Sequence, residues 1–84
     1  MFEPDVELDA RLVFASFIGG RAAFFSAAMA LGFESPDEAL KRADWLKEKG
    51  KGGYKPENYA LDEDFQYMSK VISRVNDLMK NKGL

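Results

Sequence analysis

The chain has 84 residues and a net charge of −2, with 12 lysines and arginines against 14 aspartates and glutamates. It contains neither cysteine nor histidine, which excludes disulfides, thiolate chemistry and every triad or metal centre that depends on imidazole. One domain, residues 1–84, is the expected organisation, and at this size it buries only about 60 to 65% of the surface its unfolded chain exposes.

Residues 5–12, DVELDARL, alternate polar and apolar as a half-buried strand would, but Asp, Glu, Ala, Leu and Arg are poor strand formers. Pro4 suits a first helical position, the early acids suit a helix N-terminus, and Leu8, Leu12 and Ala15 continue as a helical stripe. The reading is a helix over 4–18.

From Leu12 to Phe33 the chain runs for 22 residues with one charge, Arg21. Its length approaches the roughly 20 residues that cross a bilayer. Against a span stand Arg21 at the centre, where a charge costs about 2.5 to 3.5 kcal/mol, and the acidic flank of Glu3, Asp5, Glu7 and Asp9, the opposite of a signal-peptide n-region. Gly19 and Gly20 inside one helix would cost about 2 kcal/mol relative to alanine, so the segment reads as core, broken at the glycines, with a second helix over 21–31. A single helix bent at the glycines is the other arrangement. Ala15, Gly19, Ala23 and Ala27 would form a stripe of small side chains on a helix, with Phe14, Phe17, Ile18, Phe24, Phe25, Met29 and Leu31 around it.

The next helix, 36–49, has the clearest start signal: Ser35 as N-cap, Pro36 in the first turn and Glu38 three residues on. Ala39, Leu40, Ala43 and Leu46 share one face, while Trp45 projects about 150° away among Glu38, Lys41, Arg42 and Lys49. Either another part of the chain covers this tryptophan, most simply Tyr54 and Tyr59, or it is an exposed aromatic among cations, a residue type that anchors interfaces. Residues 50–60, GKGGYKPENYA, read as a loop; they do not match GxxxxGK[ST]. The last helix, 62–82, opens with Asp62, Glu63 and Asp64 and closes with Lys80, Lys82 and Gly83. Leu61, Phe65, Met68, Ile72, Val75 and Met79 form its apolar seam, widened by Val71 and Leu78.

No motif carries catalysis. Asp5, Glu7 and Asp9 alternate as in a calcium loop, but Ala10 stands where the loop needs glycine and Ser16 where it needs glutamate, so no metal site is expected. Lys47, Lys49, Lys51 and Lys55 against Glu48 make a local basic patch. Ala28, Leu31, Gly32 and Phe33 followed by Ser35-Pro36 and a partly basic helix resemble the first helix, glycine turn and capped second helix of a helix-turn-helix. Over about 20 residues the outline is similar to the MerR-type turn, where a Ser-Pro cap opens a recognition helix and a wing follows. The resemblance implies DNA contacts from Lys41, Arg42 and Lys49, with the glycine-rich loop as wing. Trp45 falls about one turn late for that pattern, and Asp37, Glu38 and Asp44 place acid where phosphate should be met.

Together these features predict an all-α fold, a small irregular four-helix bundle with helices at 4–18, 21–31, 36–49 and 62–82. The expected function is non-enzymatic and needs no cofactor: a cytoplasmic protein-binding module acting as adaptor, subunit or inhibitor, with no membrane role. Its contact surface would be Trp45 with Lys41, Lys49, Lys51, Tyr54, Lys55 and Tyr59, suited to a partner with an acidic surface. The helix-turn-helix DNA-binding regulator is the alternative. A homodimer through the Phe65–Met79 seam, and charge mimicry by Glu3, Asp5, Glu7 and Asp9, are narrower variants.

Overall fold

The computed structural model describes residues 2–50 and 63–81, whose regular structure is entirely helical: α1, Val6–Ala30; α2, Pro36–Gly50; and α3, Glu63–Asn81. The expected four-helix bundle is therefore a three-helix fold. The correction falls on residues 4–31, where one element replaces two. Gly20 takes φ 66° and ψ −148°, so a single residue turns the chain and helical backbone resumes at once, with no loop to separate two helices. A Cβ strongly disfavours those angles.

The kink has a large consequence for packing. Sixteen residues of straight helix span about 24 Å, yet Leu12 from the first limb of α1, Ala28 from the second and Ala39 of α2 belong to one buried cluster, flanked by Phe24, Phe25, Leu31 and Phe33. The turn at Gly20 closes that distance. It also breaks the expected stripe of small residues between Gly19 and Ala23. What their size permits is a close approach across the kink, since a Cβ on Gly19 would lie 2.6 Å from that of Ala23.

Local chemistry sets the helix ends. Asp5, extended at φ −151° and ψ 97°, caps α1 and its carboxylate accepts the Leu8 N–H at 3.1 Å, so the helix starts two residues after Pro4. At the other end Phe33 N–H donates to Ala28 carbonyl at 3.1 Å and Gly32 N–H to Met29 carbonyl at 3.2 Å. This is a Schellman closure, with Gly32 at φ 99° in the left-handed position and Phe33 packed beside Ala28. Ser35 caps α2 as expected, its hydroxyl accepting the Glu38 N–H at 3.3 Å, while Glu38 reaches back to the Glu34 N–H at 3.4 Å.

The second buried cluster joins Ala10 and Phe14 of α1 to Val71 and Val75 of α3, with Val6, Val13, Leu78 and Met79 around them. The centre of the α3 seam is thus Val71 and Val75, and Ile72 turns outward. This seam is occupied by α1 of the same chain. Leu61 and all of the expected 50–60 loop except Gly50, which ends α2, lie outside the described residues.

Four of the nine buried apolar residues are alanines, so the described core is thin. The molecule is also flat, with extents of 37 × 34 × 17 Å. In so flat a molecule each helix keeps a wide solvent face. Hence Phe17 is 66% and Ile18 52% exposed, beside the kink, and Met29 and Leu40 are exposed as well.

Gly20→Ala tests the kink. Nothing lies within 4 Å of the added methyl, so only backbone strain opposes it. The expected loss is about 1 to 3 kcal/mol in urea unfolding followed by circular dichroism; an unchanged midpoint would show that the turn is not fixed at Gly20.

Candidate functional site

One polar cluster ties the three helices together. Asp9 of α1 is 0% exposed and Arg42 of α2 3%. Their ion pair is bidentate, with Arg42 Nε on Asp9 Oδ1 at 2.8 Å and a terminal guanidinium nitrogen on Oδ2 at 2.8 Å. Tyr67 of α3 donates its hydroxyl to Asp9 Oδ2 and accepts the Asp5 backbone N–H at 2.9 Å. Among the described residues no buried side-chain polar atom lacks a partner. Burial, then the bond to Asp9, pushes the Tyr67 phenol up to about 12. Burial by itself would lower the Arg42 pKa, but the bonds and charge of Asp9 outweigh it and raise it.

Trp45 completes this cluster from outside. Its ring faces Arg42 at 4.2 Å and Lys49 at 4.7 Å, and meets Phe2 and Tyr67 edge to face at 6.0 Å each. The tryptophan on the charged face of α2 is therefore half-buried, covered by Phe2 and Tyr67. Desolvated cation–π contacts of this kind contribute about 2 kcal/mol. Lys49 is held further by Asp64 at 3.1 Å. Of the other residues read as partner-binding, Lys41 is exposed on α2, and Lys51, Tyr54, Lys55 and Tyr59 lie outside the described residues. Of the three cations assigned to DNA, Arg42 is buried on Asp9 and Lys49 is engaged with Trp45 and Asp64, which leaves Lys41.

The N-terminal acids are similarly engaged. Asp5 caps α1, Asp9 sits in the buried pair, and Glu7 bridges to Arg74 of α3 at 2.7 and 3.1 Å and to Arg11 at 2.8 Å. The bond from Arg74, aided by Arg11, holds the Glu7 carboxyl down at about 2, against an ordinary 4.5. Glu3 is exposed. No group of three or more acids among the described residues is arranged to hold a metal ion.

The concave surface lies elsewhere. Between the two limbs of α1 and α2, and bordered by Met68 of α3, opens a cavity of about 550 Å³, walled otherwise by Leu12, Phe24, Phe25, Leu40 and Leu46. Its charged lining among the described residues is cationic: Arg21 at the kink, Lys47 on α2, and Arg42, which Asp9 neutralises. Arg21 and Lys47 are exposed and have no ion-pair partner among the described residues. Local sequence reasoning missed this groove because it exists only once Gly20 folds the limbs together. The one available signal was Arg21, an isolated charge in 22 apolar and small residues.

No protein-family model, curated protein or solved structure matches this chain.

Two predictions follow from the cluster and its outer bridge. Asp9→Asn leaves Arg42 buried without its counter-charge and should cost about 3 to 5 kcal/mol in urea unfolding. Asp9→Asn combined with Arg42→Met should lose less than the sum of the single changes by about 0.5 to 3 kcal/mol; simple additivity would deny the coupling. Stability should also fall at both pH extremes. Because folding raises the Tyr67 pKa, its contribution is whole below pH 10 and is lost between 10 and about 12. The tyrosinate absorbance missing from Tyr67→Phe should accordingly titrate near 12. Because folding lowers the Glu7 pKa, its contribution is whole above pH 4.5 and is lost towards about 2. Glu7→Gln should flatten that part of the acid unfolding curve, and an unaltered curve would show the bridge to be inert.

Proposed function

We propose that this chain is a non-enzymatic protein-binding module, an adaptor, subunit or inhibitor of a larger protein or complex. The observation that carries the reading is the apolar surface left outside the fold: Phe17 and Ile18 exposed at successive positions beside the kink and, separately, a groove whose wall includes the exposed Leu40. Exposed large apolar side chains adjoining a concave surface are what partner helices and loops dock on. The proposed contact surface is accordingly the exposed apolar surface of α1 and α2, in place of the Trp45 patch, whose aromatic ring is engaged within the chain.

By length and composition α1 is apolar enough to cross a membrane. A span would put Arg21 and the Gly20 turn in the hydrocarbon and would tear Asp9 from Arg42 and Tyr67, which weighs for the soluble reading. The cytoplasm is the proposed setting, where a chain without cysteine loses nothing to reducing conditions. In the DNA-binding alternative the second limb of α1 and α2 form the helix pair, with Lys41 as the exposed cation.

Affinity capture from host lysate, with and without nuclease, separates the two. Phe17→Ser with Ile18→Ser should alter stability by no more than about 0.5 kcal/mol, because both side chains face solvent. Under the protein-binding reading one protein survives nuclease on the wild type and is lost on this variant. Capture that disappears with nuclease and ignores the variant would instead favour the DNA reading.

A further inference from the structure

We infer that the α1–α2 groove takes an acidic amphipathic helix from a partner protein, an inference that rests on the protein-binding reading and names its chemistry.

Three features of the groove select this occupant. Its floor is apolar and its volume, about 550 Å³, accommodates a few large side chains at once, as when a helix inserts anchors spaced i, i+3 and i+7. Arg21 at the α1 kink and Lys47 on α2 put positive charge on the lining from two elements. No acidic side chain among the described residues lines the groove to balance them. The third cation, Arg42, is spent on Asp9 and stacked on Trp45, so it fixes the wall without adding free charge. An occupant that buries leucines along one stripe and carries glutamates on either side of it would satisfy floor and walls together. A basic helix would be repelled by both, which gives the groove a sign preference as well as a shape.

The test uses the full chain and two fluorescein-labelled designed peptides with the same leucine stripe, one carrying glutamates on its polar face and the other lysines. Fluorescence anisotropy should show the acidic peptide binding about tenfold more tightly than the basic one, with affinity falling as salt rises. Arg21→Glu with Lys47→Glu, two exposed changes, should reverse the preference, and Leu40→Glu should abolish binding of the acidic peptide while the circular dichroism stays that of the wild type. Equal affinity for both peptides, or a preference indifferent to the charge reversal, would overturn the proposal. So would a light-scattering mass twice the 9.4 kDa of one chain that collapses with Leu40→Glu, since a second copy would then fill the groove. Uptake of the chain by phosphatidylcholine vesicles containing one-fifth phosphatidylglycerol, lost with Leu40→Glu, would assign the groove to lipid and overturn it as well. Nuclease-resistant capture that depends on Phe17 and Ile18, together with no binding of the acidic peptide, would remove this inference and leave the protein-binding reading standing. Failure of both would remove the reading beneath it.

Discussion

The fold depends on one buried ion pair, Asp9 with Arg42, and on the tyrosine that finishes it. Each of the three helices contributes one member: Asp9 from α1, Arg42 from α2 and Tyr67 from α3. Removing two charges from water costs several kcal/mol per ion, and only good geometry with saturated hydrogen bonds returns it. Here the geometry is bidentate and the carboxylate takes a third bond from the phenol. Such a contact is strongly unfavourable unless all three partners meet, so it contributes more to selecting one packing than to net stability. In a chain with a thin, alanine-rich core that selection matters, because small residues alone admit many helix registers.

The same pair explains the odd composition of α2. Arg42 lies on the side of the helix that sequence periodicity assigns to solvent, and its guanidinium is shielded by Trp45 on one side and Phe2 at 5.5 Å on another. Trp45 is therefore the cover of a buried cation. Lys49 then stacks on the same ring and closes onto Asp64, carrying the arrangement from α2 to α3 at the surface. The outer bridge of Glu7 to Arg74 repeats the α1–α3 link in solvent, where it is screened and contributes less.

What could be read from the chain was local. The Ser35 cap, the boundaries of α2 and the amphipathic character of α3 all follow from residues within one or two turns of each other. The glycine pair marked the position of the turn in α1, but the sequence rule that glycine breaks a helix does not say whether a loop follows; here φ and ψ at Gly20 alone do the work, so the helix count was overestimated. The site was less legible. Asp9 and Arg42 are 33 residues apart and both are charged types that usually face water, so nothing in a local pattern pairs them. Likewise the sequence places Ile72 and Val75 in the α3 seam and Val71 at its margin, because a seam of that width tolerates a rotation, and contact with Ala10 and Phe14 selects Val71 and Val75.

The kink divides α1 into two limbs with different duties. The first limb holds the structural charges, Glu7 and Asp9, and packs on α3. The second carries Arg21, Phe24 and Phe25 over the groove and no buried charge at all. Because the two limbs meet at one residue whose backbone only glycine readily adopts, the angle between them sets the groove width. The ion pair then fixes where α2 stands against the first limb. Groove shape is in this way a dependent quantity: Gly20 positions one wall, and Asp9 with Arg42 the other. Gly20 and Arg42 line the groove as well as setting its walls, and Leu12 belongs both to its lining and to the buried cluster, so a change at any of these three alters groove and fold together.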